Sequence, residues 1–160
     1  MPTAAQDSKA MQLIDLITPD RIVLGVRARD KGQALAELAK RAAAHGSLDA
    51  SAILAALTAR EALGSSGFGR GFALPHVRLG AVRTLSGLLV RLARPIEYAA
   101  IDGNPVDVLF LLLIPAAESN NHVAALAAIS RVMRDEENLA VIRKADNAAQ
   151  LFDLLTAAHS

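Results

Sequence analysis

The chain has 160 residues, of which 52% are hydrophobic and only 3% aromatic, and its formal net charge is +1. This length suits one domain whose core is built from Ala, Leu, Ile and Val, and a charge so balanced, without a basic or acidic run, argues against nucleic acid or a charged membrane surface as the partner. Because there is no cysteine, disulfides, thiolate catalysis and cysteine-based zinc sites are excluded.

Two features bear on where the protein works. Residues 1–10 contain no apolar signal core and are interpreted as a mobile N-terminal tail. The longest apolar run, residues 108–114, is far shorter than the ~18 residues that a membrane span needs. We therefore expect a soluble cytoplasmic protein without membrane insertion, with residues 11–160 as its one domain.

The first half of that domain predicts one strand and two helices. Residues 21–28 alternate apolar and polar side chains, which indicates a strand with one solvated face. Asp30 is a candidate N-cap, and apolar residues recur at helical spacing from there to Gly46. A second helix is predicted from Asp49 to about Ala62.

Glycine is concentrated in the next stretch. Four of the ten glycines fall within residues 64–71, which predicts a loop. Residues 72–74 then indicate a short buried strand that ends at Pro75 and His76.

The second half predicts two strands and three helices. Residues 85–92 indicate a strand, and the nearly unbroken apolar run at residues 106–114 indicates a central strand covered on both faces. The helices are predicted at residues 121–135, 137–145 and 147–158. The fold class is therefore α/β, a single domain with a mixed central β-sheet flanked by helices.

His76 is the most informative of the four histidines, because of what precedes it. Pro75 fixes φ and lacks a backbone donor, so a strand tends to end there. Strand ends of α/β folds are where chemistry tends to occur. The local context alone leaves open a loop histidine without a function.

The glycine-rich loop does not match a nucleotide-binding motif. Residues 64–69 have the six-residue frame of a Walker loop, but Arg70 and Gly71 follow where Lys and Ser or Thr are required. The loop is still able to present backbone N–H groups to an anion, or to admit a partner closely. An ordinary flexible turn remains the alternative.

The run from Glu61 to His76 resembles the phosphohistidine signature of the type-2 (fructose/mannitol-type) IIA components of the phosphotransferase system. An acidic residue at the start and Ala-Leu-Pro-His at the end both fit. Phe72 replaces the usual aliphatic residue, and Val77 follows the histidine where Gly, Ala or Cys is usual. Val77 is therefore expected to add bulk beside the reactive ring.

The similarity covers roughly residues 12–157. It includes residues 60–67, which resemble the segment that precedes the active loop in this family. Residues 101–107 resemble the segment before the family's central strand, and residues 113–115 resemble the end of that strand. The Gly-Ser-Ser-Gly-Phe-Gly sequence of residues 64–69 is most similar to the nitrogen-regulatory members.

The resemblance implies a phosphotransferase that uses no cofactor and no metal. His76 would accept phosphate through Nε2 from an HPr-like phosphocarrier protein, with its ring fixed by a hydrogen bond to a carbonyl of the glycine loop. The downstream partners would be regulatory proteins or a IIB component. The family's IIB domains use a cysteine, so the cysteine-free chain fits a stand-alone regulator or a sugar-specific IIA with a separate IIB chain.

The resemblance also implies which residues assist. His122 falls where the family places a second active-site histidine, at a predicted helix start that favours phosphate, and the Arg60 guanidinium is suited to phosphate oxygens. The alternatives are a solvated helix-start residue for His122, and for Arg60 a surface helix charge paired with Glu61 or a neighbour. The predicted phosphate and partner loop comprises Gly64, Ser65, Ser66, Gly67 and Gly69. Ser66 and Asp107 are weaker candidates, and Asp107 is expected to orient the loop.

Three other functions are weighed. A hydrolase built from Ser66, His76 and Asp107 is conceivable, but there is no Gly-x-Ser-x-Gly sequence. A metal site formed by His76, His122 and a carboxylate lacks clear ligand spacing. A non-catalytic interaction module is the third alternative, and Val77 is the argument for it.

Overall fold

The computed structural model describes residues 11–46, 48–117 and 121–157. Within these residues there are six strands and five helices: β1 (Ile22–Val26), α1 (Lys31–Ala44), α2 (Ala50–Ala62), β2 (Gly67–Gly69), β3 (Phe72–Ala73), β4 (His76–Leu79), β5 (Ser86–Ile96), β6 (Val106–Pro115), α3 (Asn121–Met133), α4 (Glu136–Lys144) and α5 (Ala148–Ala157). The predicted tail at residues 1–10 lies outside the described residues. Among the described helices, none is both long and apolar enough to cross a membrane.

All six strands belong to one mixed sheet. Its order is β1-β5-β6-β3-β2, and β4 pairs with β6 beyond the end of β3. Strand β6 is antiparallel to β5 but parallel to β3 and β4, and β1 is parallel to β5. The mixed sheet with helices against it confirms the predicted α/β class.

Strand β6 is the centre of the molecule, and its side chains alternate between two cores. Leu109, Leu111 and Leu113 belong to the core that contains α1 and α2 side chains. Phe110, Leu112 and the rest of the other face belong to the core that contains side chains of α3, α4 and α5. The sequence expectation of a strand covered on both faces is confirmed.

The predicted helix starts depend on aspartate caps, which the structure contains. Asp30 Oδ1 accepts the backbone N–H of Gln33 at 2.9 Å, and Asp49 Oδ1 accepts that of Ser51 at 3.0 Å. Satisfying these otherwise unpaired N–H groups stabilises each helix start. The first two helices therefore begin where the sequence indicates, and they end at Ala44 and Ala62.

Strand β4 was not predicted, and it carries His76. The sequence indicates a turn after Pro75, but the chain continues along β6 instead: Ala73 pairs with Leu109 and His76 pairs with Leu112. Each strand advances by three residues between these two pairs, so the parallel register is kept across Leu74 and Pro75. Pro75 lacks an N–H but still accepts the N–H of Leu112 at 3.0 Å, so it interrupts the pairing without redirecting the strand.

Strand β2 was also not predicted, since its residues were assigned to a loop. It pairs with β3 in a hairpin whose turn consists of Arg70 and Gly71, both with positive φ. Strand β5 extends to Ile96, four residues past its predicted end, because residues 93–95 are exposed and the apolar pattern stops before the strand does.

Candidate active site

A groove of about 510 Å³ lies beside the edge strand β4, between the C-terminal end of α2 and the N-terminal end of α3. It is lined by His76 and Arg78 from β4, Arg60 from α2 and His122 from α3, with apolar side chains between them. Three predicted site residues, namely His76, His122 and Arg60, therefore meet in one place. Arg78 was not predicted, because its signal is the two-residue spacing from His76 along a strand that the sequence did not reveal.

His76 is the first residue of β4 and is half-buried. Its Nδ1 lies 2.9 Å from the backbone carbonyl oxygen of Leu74. A carbonyl oxygen only accepts, so Nδ1 carries the proton and Nε2 of the neutral ring keeps its lone pair. The expected acceptor in the glycine loop was wrong: the acceptor is Leu74, two residues before the histidine.

The position of the Leu74 carbonyl depends on a buried polar cluster. The Leu74 N–H donates to the carbonyl of Ser66 at 3.0 Å, and the Ser66 N–H donates to Glu61 Oε1 at 3.0 Å. The Ser66 hydroxyl bonds the other oxygen of Glu61 and lies 3.2 Å from the Tyr98 hydroxyl. Lys31 Nζ completes the cluster at 2.8 Å from Glu61 Oε1.

Electrostatics keep this cluster in a defined charge state. Burial by itself would raise the pKa of the Glu61 carboxyl, but hydrogen bonds from Lys31 and Ser66 outweigh burial and hold the pKa below its usual value. Burial also raises the pKa of the Tyr98 hydroxyl, which stays neutral. Glu61 is thus an ionised, hydrogen-bonded anchor beneath the segment that leads to His76.

His122 is the second residue of α3, and its Nδ1 lies 3.3 Å from Nη2 of Arg78. The Arg78 guanidinium also reaches the Pro115 carbonyl, at 3.4 Å. Arg78 and His76 share one face of β4, because residues two apart on a strand point the same way. Their partners on β6 are Ile114 and Leu112, both from the core on the α3 side of the sheet.

Arg60 lines the groove from the last turn of α2. Its Nη1 donates to the Gly64 carbonyl at 2.8 Å, which stabilises the end of the helix. The guanidinium thus bonds a nearby backbone carbonyl, and Lys31 is the ion-pair partner of the Glu61 carboxylate.

The described lining of the groove includes none of the predicted loop residues Gly64, Ser65, Ser66, Gly67 and Gly69. The N–H groups of Ser66 and Gly67 donate within the protein, to Glu61 and to the Ser65 hydroxyl. A Cβ on Gly67 would lie 2.6 Å from the Ala100 Cα, so this glycine permits close backbone packing. Direct phosphate or partner contact by the loop stays a prediction.

Two alternative sites are not assembled. Asp107 makes an ion pair with Arg143 at 2.9 Å, and Ser66 bonds Glu61, so the two do not join His76 in a hydrolytic triad. Arg143 also donates to the Arg70 carbonyl at 2.7 Å, so Asp107 orients the hairpin turn, as predicted. Among the described residues, no three His, Asp or Glu side chains cluster as metal ligands would.

Val77 lines the same groove as His76, but most of its side chain is buried in the core, which argues against the expected crowding of the reactive ring. It is 6% exposed and points to the opposite face of β4, into the core that contains Leu113 and α2 side chains. The alternation along the strand separates it from His76. This weakens the argument for a non-catalytic interaction module, which stays an alternative.

Comparisons with known proteins agree with this geometry. The sequence profile of the family described as phosphoenolpyruvate-dependent sugar phosphotransferase system, EIIA 2, matches residues 15–158. The chain is 37% identical over 145 residues to the nitrogen regulatory protein of Bradyrhizobium diazoefficiens, covering 91% of this chain and 95% of that protein. It is 30% identical over 148 residues to the 2-O-alpha-mannosyl-D-glycerate-specific EIIABC component of Escherichia coli, covering 91% of this chain and 22% of that protein.

A solved structure is similar as well. The nitrogen regulatory protein IIA-Ntr of Neisseria meningitidis superposes with a TM-score of 0.83 at 27% sequence identity. The match covers 89% of this chain and 97% of that one.

Proposed function

This chain belongs to the EIIA 2 family of the phosphoenolpyruvate-dependent sugar phosphotransferase system, and from that membership we propose that it is a phosphocarrier which takes a phosphoryl group onto His76. The observation that carries the proposal is the hydrogen bond from Nδ1 of His76 to the Leu74 carbonyl. It leaves Nε2 as an unprotonated nucleophile in a groove that also contains Arg60 and His122.

The transfer step follows from this arrangement. The Nε2 lone pair of His76 attacks the phosphorus of a phosphohistidine on an HPr-like phosphocarrier protein. As the new P–N bond forms, the donor's P–N bond breaks and its electron pair returns to the donor ring. Charge on the phosphoryl oxygens in flight is stabilised by the Arg60 guanidinium and by an N–H of His122 at the start of α3.

The rim of the groove fits a protein partner. Leu63 at the end of α2 is 86% exposed, and Val123 at the start of α3 is 61% exposed. Exposed apolar side chains on both sides of a polar reactive group are typical of a docking surface. This supports delivery of the phosphoryl group by a folded carrier rather than by a small molecule.

We propose a regulatory role in a nitrogen branch rather than a step in sugar uptake. The support is the similarity to a nitrogen regulatory protein along nearly the whole length of both chains. A phosphoryl group adds about −1.5 to −2 charges, which is enough to change partner preference at a groove lined by arginines. The alternative is a sugar-specific IIA that donates to a separate IIB chain, and similarity to a sugar-specific component favours it.

Labelling tests the proposal. Incubation with enzyme I, an HPr-like carrier and labelled phosphoenolpyruvate should place one acid-labile, base-stable label on the protein. His76→Ala should remove it, whereas His45→Ala, which changes a histidine outside the groove, should not. A label that persists in His76→Ala would sink the assignment.

A further inference from the structure

Arg78 contacts the second histidine of the groove, His122, through its guanidinium. Its Nη2 lies 3.3 Å from His122 Nδ1, and arginine has donors but no acceptor. Nδ1 of His122 is therefore the acceptor, and the proton of the neutral ring lies on Nε2. The same rule gives the opposite result for His76, whose Nδ1 donates to a carbonyl.

The two histidines thus differ in what each Nε2 offers. His76 has a lone pair there, suited to attack on phosphorus, and His122 has an N–H, suited to a phosphoryl oxygen. Neutral His122 in the other tautomer would instead direct a lone pair from Nε2 at those oxygens, which repels them. The Arg78 donor at Nδ1 therefore favours the tautomer in which Nε2 of neutral His122 donates.

Backbone geometry makes Arg78 a suitable anchor. It lies two residues after His76 on the same face of β4, and its guanidinium also reaches the Pro115 carbonyl at the end of β6. Because the carbonyl contact already restricts the Arg78 side chain, less conformational entropy is lost when the same side chain also fixes the His122 ring. The nucleophile His76 and the residue that holds His122, Arg78, therefore lie on the same short strand.

We propose that Arg78 is a positioning residue, which holds His122 as an Nε2–H donor toward the phosphoryl group that His76 receives. This inference rests on the proposed phosphocarrier function. Arg78 acts through His122, so its loss should lower the rate of transfer without changing the docking of the carrier.

A double-mutant cycle tests the functional part. Arg78→Ala should lower the maximal transfer rate about tenfold with little change in the carrier concentration at half-maximal rate. In a His122→Ala background, the same change should cost less than about twofold, because coupled residues are not additive. The matched control is Arg83→Ala, an exposed arginine beyond the end of β4 and outside the groove, which should leave the rate unchanged.

Nitrogen NMR tests the contact without any phosphoryl transfer. In the wild type and in Arg83→Ala, His122 Nδ1 should have the shift of an unprotonated nitrogen and a scalar coupling across the hydrogen bond to Arg78. The coupling should vanish in Arg78→Ala. Arg78→Lys, which keeps the charge, provides a second variant with an intermediate rate should the alanine variant fail to fold.

The outcomes separate the two proposals. The positioning role would be overturned if Arg78→Ala lowered the transfer rate equally with and without His122, or if Nδ1 of wild-type His122 were protonated. Neither result would affect the label on His76. A wild type that takes no label would instead overturn the phosphocarrier function, and the NMR result would still decide the Arg78 contact.

Discussion

At the scale of single residues, Nδ1 of each groove histidine has a defined partner. The Leu74 carbonyl accepts from His76, and Arg78 donates to His122. In the proposed transfer, rings held in this way would need no reorganisation, and such preorganisation is a large part of electrostatic catalysis.

Replacing His122 by Ala should slow phosphoryl transfer about 100-fold, because a donor to the transferring phosphoryl oxygens is lost. Arg60→Ala should have a similar effect on the rate. Stopped-flow or quench-flow transfer from the phosphorylated carrier measures both. His45→Ala is the control, and rates equal to that of the control would show that neither residue touches the phosphoryl group.

Val77→Ala should lower the free energy of unfolding by roughly 2 kcal/mol, since it removes buried methyl groups from the core on the far face of β4. The transfer rate of the folded variant should equal that of the wild type. Urea unfolding and transfer assays measure the two effects. Faster transfer would mean that the valine does hinder access to His76.

At the scale of elements, the β2–β3 hairpin and β4 form a platform on which His76 is held. The sequence predicted the position of Phe72 and Ala73 but not β2 or β4. Pro75 and the glycines are local signals for turns, whereas the pairing that overrides them comes from β6, more than 30 residues later. Gly67 also indicated a mobile loop, yet it lacks a side chain because Ala100 packs against it.

The Glu61–Lys31 pair, which joins α2 to α1, supports this platform because Glu61 also holds Ser66. Glu61→Gln should destabilise the protein by about 2 kcal/mol at pH 7, less than for a fully buried pair because a quarter of Lys31 is exposed. The pKa of Glu61 is lowered in the native state, so its contribution is complete above the unfolded value of about 4.3 and is lost as the pH falls through the native value.

Urea unfolding of the wild type and Glu61→Gln between pH 7 and pH 3 tests this. The difference between them should be constant near neutrality and shrink in acid. Glu37→Gln, which breaks a more exposed pair with Arg41 on α1, should cost at most about 0.5 kcal/mol. A Glu61→Gln penalty that does not change between pH 7 and pH 3 would contradict the lowered pKa.

At the scale of the whole molecule, the pattern of apolar residues predicted the α/β class, the central strand and the helices well, because those features depend on local periodicity and on burial. The sequence did not predict how α2, β4 and α3 converge. His76, Arg60 and His122 were expected to act together only through a family resemblance, and Arg78 was missed because no local pattern marks it.

The proposed regulatory role depends on the charge that the groove presents to partner proteins. A phosphoryl group adds about −1.5 to −2 charges and so roughly cancels the charge of the two arginines that line the groove, on a protein of net charge +1. His76→Ala and His76→Glu, used as unphosphorylated and acidic forms, should therefore capture different sets of proteins from an extract. Identical sets, together with a deletion strain that loses only growth on one sugar, would favour the sugar-transport alternative.

Phosphorus–nitrogen NMR of the phosphorylated, ¹⁵N-labelled protein tests the proposal that His76 accepts phosphate through Nε2. We expect one phosphorus resonance coupled to Nε2 of His76, with Nδ1 still protonated because it donates to the Leu74 carbonyl. Phosphorus on Nδ1, or on any residue other than His76, would contradict it.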